Sequence, residues 1–189
     1  GLKSSLSSVS EAAIKTGLGG LHGNKGGLVW RAFIFDCPVA FVAVHLAAGQ
    51  SAVTERNTDL ATILRTASLA KDESRDFFAF PSGNDGSRIF DHSAVFVAGD
   101  MNYRIDQDRS TCLNQISSEA FEKLQEKDQL SEQVRRKDLL VSYFKEPKQI
   151  SEAFAPTYKY DRGSVDRFDS SEKARVPAWC DRVLLYCKQ

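Results

Sequence analysis

Two apolar runs, rich in β-branched and aromatic residues, lie almost back to back at residues 28–35 and 39–45. Only the segment Asp36-Cys37-Pro38 separates them, so the pattern predicts a β-hairpin that is mostly buried on both faces. A hairpin is an antiparallel pair. Its presence therefore argues against a doubly wound, all-parallel sheet.

The rest of the chain alternates helical and extended patterns. Residues 54–70 carry apolar side chains at helical spacing and predict a helix, with Thr54 as a candidate N-cap. Residues 117–145 also have a helical pattern, whereas residues 94–98 and 183–187 predict short strands. Strands that alternate with helices and include a hairpin favour an α/β sandwich with mixed sheets.

The composition is that of a globular domain, and we treat residues 1–189 as a single domain because no repeat or linker divides them. The 25 basic and 25 acidic residues cancel, which argues against a whole-molecule basic field for nucleic acid or anionic lipid. The longest weakly polar stretch is too short to span a bilayer. Four cysteines without a CxxC pair and three scattered histidines argue against a zinc framework and favour a reduced, intracellular protein.

Six of the twelve glycines fall within residues 17–27, and no acidic residue occurs between Ala12 and Phe35. Glycines allow backbone N–H groups to converge on an anion, and Lys25 adds a point charge, so the segment is a candidate phosphate-binding loop. It is not a nucleotide P-loop, because no Ser or Thr follows Lys25 to hold magnesium. A glycine-rich hairpin with a solvated lysine is an equally good interpretation.

Polar residues that could take part in catalysis follow two of the predicted strands. His45 ends an apolar strand, and Asp100 and Asn102 follow another at spacing i and i+2, which in a strand puts both side chains on one face. A carboxylate beside an amide can orient a water and a phosphoryl oxygen near a hard cation. Asp and Asn are also ordinary turn residues at strand ends.

A second concentration of charge lies near the C-terminus. Lys159, Lys173 and Arg175 flank one loop, and Asp181 opens the last strand. Several cations around a loop suit a substrate with more than one phosphate. Acidic residues lie among them, so a salt-bridged surface is the alternative.

Covalent phosphatase chemistry has no good candidate. None of the four cysteines has an arginine six positions downstream, and no apolar strand leads into Asp106-Gln107-Asp108. Direct attack by a metal-activated water is the mechanism that remains.

Six short motifs occur in a fixed order. They are Gly-Asn-Lys-Gly-Gly, His-Leu-Ala-Ala-Gly-Gln-Ser, Glu-Arg-Asn, Gly-Asp-Met-Asn-Tyr-Arg-Ile, Pro-Thr-Tyr-Lys-Tyr-Asp and Pro-Ala-Trp-Cys-Asp-Arg. Together they resemble the inositol polyphosphate 5-phosphatase family, especially its synaptojanin-like branch, within the exonuclease–endonuclease–phosphatase superfamily. The resemblance implies two mixed β-sheets packed face to face with outer helices. It also implies Mg²⁺-dependent removal of the 5-phosphate from phosphoinositides such as phosphatidylinositol 4,5-bisphosphate and from soluble inositol polyphosphates.

The resemblance also implies roles for four catalytic residues. Asp100 would orient or deprotonate the attacking water, and Asn102 would help to hold that water and the scissile phosphate. His45 would stabilise the charge of the transition state. Asp181 would orient a catalytic histidine. Asp100 and Asn102 are also the weak metal-ligand candidates for Mg²⁺.

The expected substrate contacts come from two segments. Contacts to the 4-phosphate are implied for the C-terminal loop, and contacts to another phosphate for the glycine-rich segment. The residues concerned are Tyr158, Lys159, Lys173 and Arg175 in the first segment, and Asn24 and Lys25 in the second.

The family pattern extends beyond both ends of this sequence, with a metal-binding Glu before residue 1 and a Ser-Asp-His segment after residue 189. We therefore expect an incomplete domain, the C-terminal portion of a catalytic domain. The expected location is cytoplasmic and peripheral at membranes, with a phosphoinositide head group as partner and no nucleic acid. Phe77, Phe78 and Phe80 could contact the bilayer or simply pack in the core.

Two alternatives stay open at this point. One is an enzyme of the same fold with another substrate, such as a nuclease or a sphingomyelinase. The other is a catalytically incompetent phosphoinositide-binding domain.

Overall fold

Five strands form one mixed sheet in a computed structural model that describes residues 5–71, 73, 79–137 and 139–188. The sheet has the order β1-β2-β3-β4-β5. β3 and β4 are parallel and every other neighbouring pair is antiparallel. The strands are β1 (Leu6–Gly17), β2 (His22–Ile34), β3 (Cys37–His45), β4 (Ala94–Asp100) and β5 (Asp181–Cys187).

Helices occur between β3 and β4 and between β4 and β5 in the sequence. They are α1 (Val53–Thr66), α2 (Arg109–Ser117), α3 (Phe121–Gln125), α4 (Gln129–Arg135) and α5 (Ile150–Ala153), with 3₁₀ turns at Ile89–Asp91 and Leu140–Tyr143. The helices that carry Leu60 and Leu130 contribute to the core on the sheet, whereas those that carry Cys112, Leu124 and Ile150 pack in a separate apolar cluster with Trp179. No helix among the described residues combines the length and the apolar character that crossing a membrane requires.

The helix-covered face of the sheet holds the main core. Val29, Val42, Val97 and Leu184 lie side by side on β2 to β5 and are each 1% exposed or less. They pack with Leu60 and other apolar side chains of α1. This row accounts for the apolar residues at alternate positions of β3 and β4.

The opposite face is apolar but open. Trp30, Phe41 and Phe96 are neighbours across β2, β3 and β4, with ring centroids 5.5 and 5.2 Å apart. Leu28 is 64% exposed and Val183 is 47% exposed on the same side. A sheet that packs face to face on a second sheet presents such a surface. The predicted mixed α/β class is confirmed, and the described residues form one of the two expected sheets.

The helices in the structure differ in part from the predicted ones. The helix at 54–70 is α1, but Ala52 rather than Thr54 is its N-cap. The predicted helix at 117–145 is wrong as one element, because α3, α4 and a 3₁₀ turn divide it. The Asp128 side chain accepts a hydrogen bond from the Ser131 N–H and so starts a new helix in the middle of the pattern.

The three phenylalanines of the long excursion after α1 divide between the core and the undescribed part. Phe80 is 2% exposed and packs against Phe33 and His92, so it is a core residue. Phe77 and Phe78 lie outside the described residues.

Candidate active site

Three of the predicted catalytic residues meet at one end of the sheet. β3 and β4 are parallel and end together, which places His45 opposite Asp100. β5 is antiparallel to β4 and begins at the same end, which places Asp181 opposite Asp100 on the other side. We call His45, Asp100 and Asp181 the strand-end cluster. Strand register alone brings together side chains that are 136 positions apart in sequence.

His45 lies between a cation and an anion. Its Nε2 is 2.5 Å from Lys25 Nζ and 3.5 Å from Asp100 Oδ2. One ring nitrogen cannot accept from the ammonium and donate to the carboxylate at the same time. Nε2 therefore accepts from Lys25 when it carries no proton and donates to Asp100 when it carries one.

Lys25 comes to this position from the glycine-rich segment. That segment is a hairpin between β1 and β2, in which Gly20 N–H donates to the Gly17 carbonyl over 3.0 Å. Gly26 has φ +152°, and a Cβ there would lie 2.1 Å from the Ile14 carbonyl oxygen. Glycine is required where the two strands approach closely. The hairpin interpretation is confirmed, but its lysine is partly buried beside His45 rather than simply solvated.

The hairpin and α1 enclose an open cavity of about 790 Å³, and one of its lining residues is Lys25, the neighbour of His45. Asn24 and Lys25 line it, together with Ala47 and Asp59. Burial lowers the pKa of Lys25, although the negative charges of Asp100 and Asp59 act in the opposite direction. The cavity thus carries a cation and an amide, and the cation lies beside His45.

The two carboxylates of the cluster interact. Partial burial raises the pKa of Asp181, and the negative charge of Asp100 adds to this effect. Carboxylates held close together suit a hard divalent cation by donor type. The described residues bring together no group of three His, Cys, Asp or Glu side chains that could hold a metal. By donor type alone, the two carboxylates could contribute to a cation site but do not complete one.

The structure corrects the prediction for Asn102. β4 ends at Asp100, and Asn102 has φ +56°, so the alternation of a strand does not extend to it. Its side chain is buried, with Nδ2 donating to the Leu46 carbonyl and Oδ1 accepting from Arg104 over 2.6 Å. Its backbone N–H donates to Asp100 Oδ1 over 3.0 Å. Asn102 therefore braces Asp100 through its backbone N–H, and its amide oxygen accepts one hydrogen bond from Arg104.

Buried side chains that sequence reasoning missed hold the loop after His45. Arg56 is fully buried and donates to the Gly49 carbonyl over 2.7 Å and to Gln129 Oε1 over 2.6 Å. Asp59 Oδ2 accepts from the Ala47 N–H over 2.9 Å. For Arg56, the only signal in the sequence was the Glu-Arg-Asn motif, to which no role was assigned.

The start of β5 is fixed in a similar way. The guanidinium of Arg182, beside Asp181 in sequence, is fully buried and pairs with Asp128 over 2.9 Å and Glu146 over 2.7 Å. A buried pair that is hydrogen-bonded on both sides holds one geometry. It thereby fixes the strand end that carries Asp181.

The predicted cations near the C-terminus separate into two kinds. We call residues 157–175 the cation loop. Arg175 Nη1 is 2.8 Å from Asp169 Oδ2, and the Asp169 carboxylate also accepts from the Arg175 N–H over 3.0 Å. Lys159 and Lys173 are exposed and form no salt bridge in the part of the chain that the structure describes. The salt-bridged alternative is correct for Arg175 and not for the two lysines.

Tyr158 joins the cation loop to the centre of the molecule. It forms an antiparallel bridge with Ala178, and Arg104 lies over its ring with Cζ 4.1 Å from the centroid. Hydrogen bonds to Asp169 and Tyr158 raise the pKa of Arg175, that to Asp169 being the stronger effect. Arg104 was part of a quoted motif, but sequence reasoning gave it no role.

Comparison with known proteins identifies relatives along almost the whole chain. Residues 2–189 match the model of Endonuclease/Exonuclease/phosphatase family 2. A Schizosaccharomyces pombe protein with the name "Probable inositol polyphosphate 5-phosphatase" is 47% identical over 185 residues, which is 96% of this chain and 15% of the relative. Human synaptojanin-1 is 40% identical over 176 residues, which is 93% of this chain and 10% of the relative.

Solved structures give the same result for the fold. The inositol polyphosphate 5-phosphatase domain of a synaptojanin, in complex with inositol (1,4)-bisphosphate and calcium ion, matches 99% of this chain with TM-score 0.80 and 32% identity. A Cimex nitrophorin matches 98% of the chain with TM-score 0.64, but at 19% identity it shows the fold alone. The chain spans 49% of that synaptojanin domain. It belongs to the endonuclease/exonuclease/phosphatase family 2 and, within it, to the inositol polyphosphate 5-phosphatases of the synaptojanin-like branch.

Proposed function

We propose that the protein is a magnesium-dependent phosphomonoester hydrolase that removes the 5-phosphate of phosphoinositides. Phosphatidylinositol 4,5-bisphosphate is the proposed substrate, and soluble inositol polyphosphates share its head-group chemistry. The observation that carries the proposal is the convergence of His45, Asp100 and Asp181 at one end of the sheet, with Lys25 beside them. Family membership supports the same reaction class.

The proposed chemistry is direct attack by water. Asp100 is partly exposed at the strand end and would orient or deprotonate the water. His45 and Lys25 would stabilise negative charge on the phosphate in the transition state. Asn102 would act chiefly by holding Asp100, because its backbone N–H donates to the Asp100 carboxylate.

Mg²⁺ is the proposed cofactor, with Asp100 as the ligand from this chain and Asp181 as a second nearby carboxylate. Such an ion would supply Lewis acidity and neutralise phosphate charge. The synaptojanin structure in complex with calcium supports a hard divalent cation in general. We also propose that residues 1–189 are the C-terminal portion of one catalytic domain, and that the protein acts in the cytoplasm at membrane surfaces.

The second phosphate of the substrate is proposed to contact the cation loop through Lys159, Lys173 and Tyr158. Arg175 would act mainly by holding the loop, because its guanidinium is paired with Asp169. Asn24 would contact a further phosphate from the hairpin. A net charge of zero agrees with a local phosphate site rather than a duplex footprint.

The test is phosphate release by the full-length protein from dioctanoyl phosphatidylinositol 4,5-bisphosphate. We expect turnover with Mg²⁺, none after EDTA, and loss of turnover in Asp100→Ala. An abasic DNA duplex and sphingomyelin serve as competing substrates. Cleavage of the DNA or of sphingomyelin instead of the phosphoinositide would contradict the proposal and favour an enzyme of the same fold with another substrate. Binding of the phosphoinositide without turnover would contradict it and favour a binding domain.

A further inference from the structure

A single buried arginine contacts both parts of the proposed site, namely the side that holds Asp100 and the cation loop. Arg104 is 5% exposed, and its guanidinium donates through Nε to the Asn102 carbonyl over 2.9 Å and through Nη2 to Asn102 Oδ1 over 2.6 Å. The same group lies over the ring of Tyr158, with Cζ 4.1 Å from the centroid. One planar group thus contacts the residue that braces Asp100 and the ring that opens the cation loop.

The backbone of Arg104 is fixed from a third direction. Its N–H donates to Gln129 Oε1 over 2.9 Å, and its carbonyl accepts from the Gln129 N–H over 2.8 Å. Gln129 in turn accepts from Arg56, which holds the loop after His45. Arg104 therefore has little freedom to follow a movement on one side without transmitting it to the other.

The charge of Arg104 is not consumed by a carboxylate. Within the described ranges Arg104 forms no salt bridge, and its partners are a carbonyl, an amide oxygen and an aromatic face. After burial as the main cause, its positive charge also helps to lower the pKa of Arg56. An arginine kept buried without a neutralising acid needs its fixed hydrogen bonds and its stacking partner to stay in place.

We propose that Arg104 is a positioning residue that couples hydrolysis to recognition of the second phosphate. It holds the carbonyl and the side-chain oxygen of Asn102, whose backbone N–H donates to Asp100, while its face holds the Tyr158 ring at the start of the cation loop. This inference rests on the proposed function. A lysine cannot replace it, because an ammonium lacks the planar fork that bonds two oxygens and stacks on a ring.

The test compares Arg104→Lys with Arg31→Lys in the full-length protein. Arg31 is a matched control, because it is also buried, donates to carbonyls of Ala70 and Gly86, and lies near the ring of Phe80. Arg31 also lies away from His45, because it is five residues along β2 from Gly26, which pairs with His45. The substrates are dioctanoyl phosphatidylinositol 4,5-bisphosphate and dioctanoyl phosphatidylinositol 5-phosphate.

We expect Arg104→Lys to lower kcat on the 5-monophosphate roughly tenfold and also to reduce the preference for the bisphosphate several-fold. Arg31→Lys should lower the melting temperature but keep both the rate and the preference of the wild type. An Arg104→Lys protein with wild-type kcat and preference would overturn the inference. A wild type that releases no phosphate from either lipid would instead contradict the proposed function.

A second pair of variants serves if Arg104→Lys does not fold. Tyr158 is only half-buried, and Tyr158→Leu removes the stacking ring whereas Tyr158→Phe keeps it. Coupling through Arg104 predicts a larger loss of kcat on the 5-monophosphate for Tyr158→Leu than for Tyr158→Phe. Equal kcat values for the two variants would show that the ring does not act through Arg104.

Discussion

The strand-end cluster and the cation loop are built by different physical means. His45, Asp100 and Asp181 are placed by strand register, with backbone hydrogen bonds on each side. The cation loop lacks a ladder of that length and is held by Asp169, which accepts from Ser171 and Arg175. In the cluster Lys25, His45 and Asp100 lie side by side, whereas in the loop Arg167 and Arg175 are paired with carboxylates and the two lysines form no salt bridge with the described residues.

This difference assigns different consequences to mutation. A change in the cluster should alter the chemistry with little effect on the fold, because the sheet does not depend on those side chains. A change at a charged residue of the loop should alter either the choice of substrate or the stability of the loop, depending on whether the residue is exposed or paired.

The largest effect is expected for Asp100→Asn. The substitution keeps the shape of the side chain but removes the charge that would orient or deprotonate water. We expect kcat to fall by roughly two orders of magnitude or more. Phosphate release from both lipids measures it, and Asp166→Asn, an exposed change in the cation loop, is the control for loss of a carboxylate. Full activity of Asp100→Asn would show that the strand-end cluster does not carry out the chemistry.

Lys25→Met is expected to have the next largest effect. It removes the ammonium that donates to His45 Nε2 and would leave the ring without that partner. A charge-assisted contact of this kind is worth about 1.5–3 kcal/mol, so kcat/KM should fall roughly tenfold or more on both lipids. Lys15→Met is the matched control, because Lys15 is an exposed lysine on the neighbouring strand that lines the same cavity. Equal kcat/KM values for the two variants would place Lys25 outside the chemistry.

Arg175→Ala and Lys173→Ala separate structure from recognition within the loop. Arg175→Ala leaves the buried Asp169 without its guanidinium, so the melting temperature should fall by roughly 2–4 °C. Lys173→Ala removes an exposed charge and should not change the melting temperature. Thermal unfolding of both proteins tests this. If Arg175→Ala melts like the wild type, the Asp169 pair does not hold the loop.

The smallest effect is a pH dependence of the same pair. Hydrogen bonds from Ser171, then from the Arg175 N–H and guanidinium, hold the pKa of Asp169 below its ordinary value. A carboxyl with a lowered native pKa contributes stability above its unfolded pKa, and loses it as the pH falls from about 4 through the native value. The difference in melting temperature between wild type and Asp169→Asn should therefore be largest near neutral pH and shrink on acidification. A difference in melting temperature that grows at acidic pH would contradict a lowered native pKa for Asp169.

The sequence predicted the elements that depend on local pattern. The hairpin of β2 and β3, the helix α1 and the strands β4 and β5 were all expected, because their apolar periodicity is the same property that buries them. β1 was not predicted, since residues 6–17 mix small and polar side chains on the edge of the sheet. Asp128 broke a helical pattern by capping, which periodicity does not detect.

The candidate site divides in the same way. His45, Asp100 and Asp181 were found because each lies at the end of an apolar run, and register then brings them together. The orientation of Asn102 and the role of Arg104 depend on a left-handed residue and on contacts with distant segments, which no spacing rule encodes. The pairing of Arg175 with Asp169 was one of two open interpretations, since a sequence does not show which acid a loop arginine meets.

The most direct test of the division between chemistry and recognition is the ratio of kcat/KM for phosphatidylinositol 4,5-bisphosphate to that for the 5-monophosphate. We predict that Lys159→Ala combined with Lys173→Ala lowers this ratio by roughly ten- to a hundredfold by slowing only the bisphosphate. Asp100→Asn should slow both lipids alike and leave the ratio unchanged. A ratio that survives the double substitution, or one that changes in Asp100→Asn, would contradict the account.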